Sequence, residues 1–191
     1  METSASSTAV PGRQASLLPT GLIALAVLVV AIIFCSTSSW YLTFKAVHVG
    51  FAAIWIGGGF LLTILGVVAE RQDDAEGLAT IAKQAAMVGE KLFSPASGIV
   101  LLAGIAMMTN INWGWGHFWV VAGLVGFAST FVTGIGFLGP RAKRLHGLMQ
   151  TAGPTAPETQ AAIKQILLIA RIDIAVLLLV VVDMVVKPFS T

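Results

Sequence analysis

The chain has 191 residues, of which 57% are apolar and only 10% carry a charge. An ordinary soluble domain is roughly 45–50% apolar and about 25% charged, so this composition excludes a water-soluble globular fold. The formal net charge of +2 is too small to indicate nucleic-acid binding, and a single cysteine excludes an intramolecular disulfide. We therefore expect the lipid bilayer to be the main solvent and partner of the chain.

The apolar residues fall into about five long, continuous runs. A membrane-spanning helix needs on the order of 20 mostly apolar residues. Because lipid offers the backbone no hydrogen bonds, such runs predict helices rather than the alternating strands of a barrel. The sequence predicts an all-α fold, a polytopic transmembrane helical bundle forming one domain over residues 17–191. The predicted spans are residues 17–35, 41–69, 94–109, 117–138 and 166–186.

The N-terminal segment differs from the rest. Residues 1–16 are rich in Ser and Thr and bury little apolar area, so we predict a disordered tail. The run 17–35 is predicted to be a retained span. A cleaved signal peptide is the alternative, because Arg13 precedes the run and small residues follow it. The second span begins with Trp40 and Lys45, as helix ends at a membrane interface commonly do.

Between the spans, the sequence carries signals for helix boundaries. Residues 72–93 have apolar side chains at three- and four-residue spacing, which predicts an amphipathic helix at the interface or an extension of the next span. Gly139-Pro140 predicts the end of the fourth span. Thr155 and Glu158 have the spacing of a capping box at the start of the last helix.

The distribution of basic residues predicts the orientation. With the N-terminus in the cytoplasm, only Lys45 and Lys187 fall on the outer side. The inner side then receives Arg13, Arg71, Lys83, Lys91, Arg141, Lys143, Arg144 and Lys164. Cytoplasmic loops carry the excess of Lys and Arg, so we expect a cytoplasmic N-terminus and an outer C-terminus.

His48 is the first candidate site residue. An ionisable group inside a span costs roughly 2.5–3.5 kcal/mol on insertion scales, so its presence needs a reason. His48 lies about two turns inside the second span, and Trp55, seven residues later, shares its helical face. A neutral imidazole can bind haem iron or copper, or carry protons. The alternative is a histidine that is hydrogen-bonded between two helices.

A metal site would need further ligands near His48. His117 begins the fourth span on the same predicted side, so the two histidines could form a bis-His site. The alternative is that His117 anchors the interface beside several tryptophans. Three methionines are also predicted to lie near the outer ends of their spans: Met107, Met108 and Met184. Their thioethers could bind Cu(I), or the side chains could simply pack between helices.

Small residues and buried charges complete the candidates. Gly57–Gly59 in the second span predict close helix packing, or a flat face that admits a planar porphyrin. Arg171 and Asp173 lie deeper in the last span than a snorkelling side chain needs to be. We expect them to pair with another helix or to line a polar pocket.

Several short motifs resemble a known family. Lys45-Ala-Val-His48 followed by Trp55-Ile-Gly57-Gly58 looks like the signature K-x-x-H-x(6)-W-x-G of small bacterial membrane proteins. Further segments stand in the expected order: residues 91–95, 101–104 and 184–188. The chain most closely resembles an uncharacterised family of predicted integral membrane proteins, a domain of unknown function. It is more distantly similar to the haem-dependent protoporphyrinogen oxidases of bacteria and to the copper-resistance protein D family.

The resemblance implies a protein of the bacterial inner membrane with His48 as a haem ligand. It also implies that Lys91 lies near the haem. The chain departs from the oxidases at Arg171-Ile-Asp173, where they carry an Asn-Glu pair, and in its extra first span. The resemblance thus implies haem binding without implying oxidase activity.

Three hypotheses follow for the function. In the first, the protein binds haem b in a redox or porphyrin-related role, with His48 as ligand and Trp55, Lys91 and His117 around the cofactor. In the second, it handles copper through His48, His117 and methionines. In the third, it is a structural or assembly subunit without a cofactor. The sequence identifies no substrate, oligomeric state or enzyme class.

Overall fold

The computed structural model describes residues 18–111 and 114–189, and within these ranges the chain is almost entirely helical with no β-strand. This confirms the all-α prediction. By its internal contacts the chain divides into two units, residues 1–39 and 40–191. The tail predicted at 1–16 lies outside the described residues.

The first unit contains helix α1, Leu18–Thr37, at the position of the first predicted span. From Leu25 onward its large apolar side chains are exposed. The helix ends where the hydroxyls of Ser36 and Thr37 donate hydrogen bonds back to the carbonyl of Ile33. The choice between a retained span and a signal peptide stays a prediction.

The second unit is built from four long helical rods. Its helices are α2 (Trp40–Arg71), α3 (Ala75–Val88), α4 (Ser94–Ile111), α5 (Phe118–Val132), α6 (Gly139–Thr151) and α7 (Pro157–Val186). The π-helical turn Gly89–Phe93 joins α3 to α4, and the π-helical turn Thr133–Leu138 joins α5 to α6. Within the described residues, all four rods are long and apolar enough to cross a membrane. The prediction that the amphipathic segment extends the next span is confirmed.

Gly139-Pro140 does not end the helix that holds the fourth predicted span, so the predicted helix end is wrong: the helix continues into α6. Gly139 keeps a right-handed helical backbone (φ −59°), and its N–H donates to the carbonyl of Gly134 in the π-helical pattern. Pro140 then stands in the first turn of α6. The shift in hydrogen-bond register accommodates a residue that lacks an N–H, so the proline does not break the rod.

The capping box predicted at the start of α7 is also wrong. Ala156 is the N-cap, and no side chain caps the helix. Pro157 is the first helical residue, and its fixed φ and missing N–H suit that position without a cap.

The four rods run antiparallel, so the unit has two distinct ends. We call the end where α2 and α5 begin and α4 and α7 end the aromatic end, since Trp40, Trp115 and Phe118 lie there. The opposite end, with the α2–α3 and α6–α7 connections, is the charged end. A buried apolar cluster closes the charged end: Ala69, Leu78, Ala79, Ala82, Leu145, Ile163 and Leu167.

Glycines set how closely α7 approaches its neighbours. A methyl group on Gly59 of α2 would come within 2.5 Å of Cδ1 of Ile174, and one on Gly66 would lie 3.4 Å from Leu167. On α5, a methyl group on Gly126 would collide with Val180. These small residues therefore act as close-packing surfaces.

Candidate functional site

His48 lies half-buried at the contact between α2 and α4. Its Nδ1 is 2.7 Å from the carbonyl oxygen of Val100, which is itself buried. The imidazole packs over Gly104, one turn along α4, where a methyl group would lie 3.2 Å from Cε1 of His48. Two features of α4 therefore hold the ring of His48: the carbonyl of Val100 and the absence of a side chain at Gly104.

The partner of Nδ1 fixes the tautomer of His48. A carbonyl oxygen only accepts hydrogen bonds, so Nδ1 must carry the proton and donate it to Val100. In the neutral ring, Nε2 then carries the lone pair. This contact joins α2 to α4, as the alternative of a histidine hydrogen-bonded between two helices predicts, and histidines that bind metals make the same kind of hydrogen bond.

Trp55 lies two helical turns from His48, on the side toward the charged end. Its ring meets Phe127 of α5 edge-on, with centroids 6.0 Å apart and planes at 79°. This contact joins α2 to α5 two helical turns further toward the charged end than His48.

The three glycines of α2 have different surroundings. Gly58 packs against the Phe93 ring and Gly59 against Ile174, whereas a methyl group on Gly57 would meet nothing within 4 Å. At 100° per residue, Gly57 lies on the face of α2 opposite His48. The close-packing prediction is therefore confirmed for Gly58 and Gly59.

Two of the candidate methionines come together. Met108 of α4 is buried with Trp119 and Val120 of α5, and Met184 of α7 packs against the same cluster. Cε of Met184 occupies the space that a side chain at Gly123 would need. The thioethers of α4 and α7 thus share one apolar cluster near the aromatic end.

Charged side chains lie at the same level of the bundle as the cluster of Met108 and Met184. The Lys187 ammonium is 5.0 Å from the Trp119 ring centroid, and the Lys45 ammonium is 6.0 Å from that of Tyr41. Burial lowers the pKa of Lys187, and the nearby charge of Lys45 lowers it further. Oδ2 of Asp183 is buried and finds no hydrogen-bond partner among the described residues.

The other predicted site residues lie elsewhere. His117 is exposed at the N-cap of α5, where its ring lies beside Gly114 in its own loop. Lys91 is exposed in the first π-helical turn, nine residues before Val100, which is roughly 13 Å along the helix axis. His146 bonds to Gln150 on α6, at the charged end. The contacts described for these residues do not join them to His48.

Arg171 forms an ion pair between two rods. Its Nη2 donates to Oε2 of Glu70 at the end of α2, which confirms that Arg171 pairs with another helix. The sequence did not identify Glu70, because it looks like an ordinary charged helix end. A cleft of about 190 Å³ lies beside this pair, between α2, α3 and α7, and it does not include His48.

No group of three or more His, Cys, Asp or Glu side chains converges within the described part of the chain. The sequence model of the family described as "Predicted integral membrane protein (DUF2269)" matches residues 42–188. No curated protein and no solved structure matches the chain.

Proposed function

The chain belongs to the DUF2269 family of predicted integral membrane proteins, and we propose that it binds haem b through Nε2 of His48. One observation carries this proposal: the hydrogen bond from Nδ1 of His48 to the Val100 carbonyl leaves the lone pair on Nε2. The resemblance of the Lys45–Gly58 segment to haem-dependent oxidases supports the same role for His48. We place the protein in the bacterial inner membrane.

The surroundings of His48 would define how the cofactor is held. When bound, haem would supply the redox or porphyrin-related chemistry, and His48 with its hydrogen bond to Val100 would influence that chemistry. The Val100 carbonyl orients the imidazole of His48, and the Trp55–Phe127 ring contact lies two helical turns further toward the charged end. A role for Lys91 rests on the resemblance alone, and a role for His117 as a second ligand stays a prediction.

The absorption spectrum of detergent-purified protein from haem-replete cells tests the proposal. We expect a Soret band in the wild type and its loss in His48→Ala and His48→Asn. Asparagine can still donate a hydrogen bond to Val100 but offers no imidazole nitrogen. His146→Ala is the matched control, because it removes an exposed histidine at the other end and should keep the band. Colourless wild-type protein, even after haem is added, would refute the proposal.

Copper handling is a second candidate, and the shared cluster of Met108 and Met184 favours it. Thioether and imidazole ligands suit Cu(I). Competition against a Cu(I) chelator should then show binding that falls in His48→Ala and in Met184→Leu. Wild-type protein that takes up no copper under reducing conditions would exclude this candidate.

A purely structural role makes a different prediction for the same variants. If the His48 hydrogen bond only joins α2 to α4, His48→Asn keeps stability near the wild-type value, His48→Ala lowers it, and neither changes an absorption spectrum or metal content. A Soret band that depends on His48 would exclude this role as a complete account.

We also propose that the charged end faces the cytoplasm. The rods place the basic residues of α3, α6 and the start of α7 at that end. Positive charge accumulates on the cytoplasmic side of membrane proteins. The C-terminus and the aromatic end, with Lys45 and Lys187, would then lie outside.

A further inference from the structure

Helix α6 is the most basic segment of the charged end. It carries three basic side chains and no acidic one: Arg141, Lys143 and Arg144. No Asp or Glu occurs between Glu90 and Glu158, so neither the rest of this rod nor the loop that follows it offsets the charge. The acidic side chains of the charged end lie mainly at the α2–α3 connection, in residues 70–76.

Two of the three basic residues lie on the same side of α6. At 100° per residue, Arg141 and Arg144 are about 60° apart around the helix. Leu145 is buried in the apolar cluster of the charged end, and it marks the side of α6 that faces the bundle. Lys143 lies about 160° from Leu145 and is exposed, so it points away from the bundle.

Arg141 marks the place where the lipid-facing apolar surface of the rod ends. The central carbon of its guanidinium lies 5.4 Å from the ring centroid of Phe137, which is itself 48% exposed. The same rod exposes further large apolar side chains before this point and none in α6; the exposed ones include Phe131, Val132 and Ile135. Arg141 therefore lies at the boundary between a surface that suits acyl chains and a surface that suits water.

The two arginines are available to an anion from outside the chain. Among the described residues, no acidic side chain forms an ion pair with Arg141 or Arg144. A guanidinium presents its N–H groups in a planar fork that matches the oxygens of a phosphate. Stacking on Phe137 occupies the face of the Arg141 guanidinium, and the N–H groups at its edge can still donate.

We infer that Arg141 and Arg144 bind the phosphate of an anionic phospholipid, whose acyl chains lie along the exposed apolar residues of α5 and the second π-helical turn. A phospholipid carries both chemistries that meet here, a phosphate for the arginines and hydrocarbon for the surface that ends at Phe137. The inference concerns the charged end and is independent of what His48 binds.

Lipid binding to single variants tests this inference. Native mass spectrometry of the detergent-purified protein would be titrated with phosphatidylglycerol and, separately, with phosphatidylcholine of the same acyl chains. The wild type should bind phosphatidylglycerol more tightly, and Arg141→Gln and Arg144→Gln should each weaken that binding by about fivefold. Lys143→Gln is the matched control, because it removes the same charge from the other side of α6 and should bind as the wild type does.

Three outcomes would overturn the inference. Equal losses in Arg141→Gln and Lys143→Gln would show that net charge alone attracts the lipid. Equal binding of the two lipids by the wild type would show that no anionic headgroup is selected. Displacement of the lipid by inorganic phosphate at the same concentration would assign the arginines to a free anion. Size-exclusion elution checks folding, and Phe137→Leu, which removes the stacked ring but stays apolar, should also weaken binding and carries the test if an arginine variant fails to fold.

Discussion

His48 illustrates what single residues reveal before a structure is known. Its position inside an apolar run marked it as a functional candidate, because a polar group there needs a partner. The partner could not be predicted, since it is the backbone carbonyl of Val100 and every residue has one. The tautomer, and with it the free lone pair on Nε2, follows only from that contact.

A substitution at Gly104 tests whether close packing against α4 holds the ring of His48. A methyl group there would lie 3.2 Å from Cε1 and 3.3 Å from Nδ1 of His48, whereas one on Gly98 of the same helix would meet nothing within 4 Å. Overpacking costs roughly 1–3 kcal/mol, so we expect Gly104→Ala to weaken haem binding by about tenfold. Gly98→Ala changes the backbone in the same way and should bind normally. Equal affinities in a Soret titration would show that the ring of His48 is not held by this contact.

At the scale of elements, the lengths of the rods could be predicted from the sequence, but the π-helical turns within two of the rods could not. Runs of apolar residues gave the spans, because the hydrocarbon thickness sets how many residues a helix needs. The two π-helical turns carry no sequence signal of their own, so Gly139-Pro140 looked like a helix end. The continuity of α5 into α6 is decided by hydrogen-bond register rather than by residue type.

The ion pair between α2 and α7 allows a test of how the rods are joined. The side chains of Arg171 and Glu70 are only 30% and 25% exposed. Arg171→Met leaves the Glu70 carboxylate without its partner, which should lower the free energy of unfolding by roughly 1.5–3 kcal/mol. Thermal unfolding in detergent measures the change.

Two further variants show whether the loss of stability comes from breaking the ion pair or from removing any charge. Glu70→Gln combined with Arg171→Met removes both charges, so it should cost less than Arg171→Met alone. Arg71→Met removes an exposed charge next to Glu70 and should be close to neutral. If Arg71→Met and Arg171→Met are equally destabilising, the ion pair does not join the rods.

At the scale of the whole molecule, the membrane location was predictable from composition alone. The family match and the apolar rods agree with it. The neighbours of each helix were not predictable, because lipid tails and apolar side chains attract equally and small contacts decide the packing. This packing sets the surroundings of His48, because the Val100 carbonyl of α4 accepts the hydrogen bond from its ring.

The orientation of the molecule can be tested with single cysteines. In a Cys35→Ser background, Gly116→Cys places a thiol at the aromatic end and Lys143→Cys places one at the charged end. Both positions are exposed. We expect a membrane-impermeant maleimide to label Gly116→Cys in intact spheroplasts and Lys143→Cys only after lysis, following the distribution of basic residues. The reverse labelling would contradict the proposed orientation.

The ratio of haem to polypeptide in purified protein tests the central claim most directly. We predict a ratio near one for the wild type and near zero for His48→Asn, with both proteins eluting as the same folded species in detergent. A wild-type ratio near zero after haem reconstitution, or an unchanged ratio in His48→Asn, would contradict the binding of haem through His48.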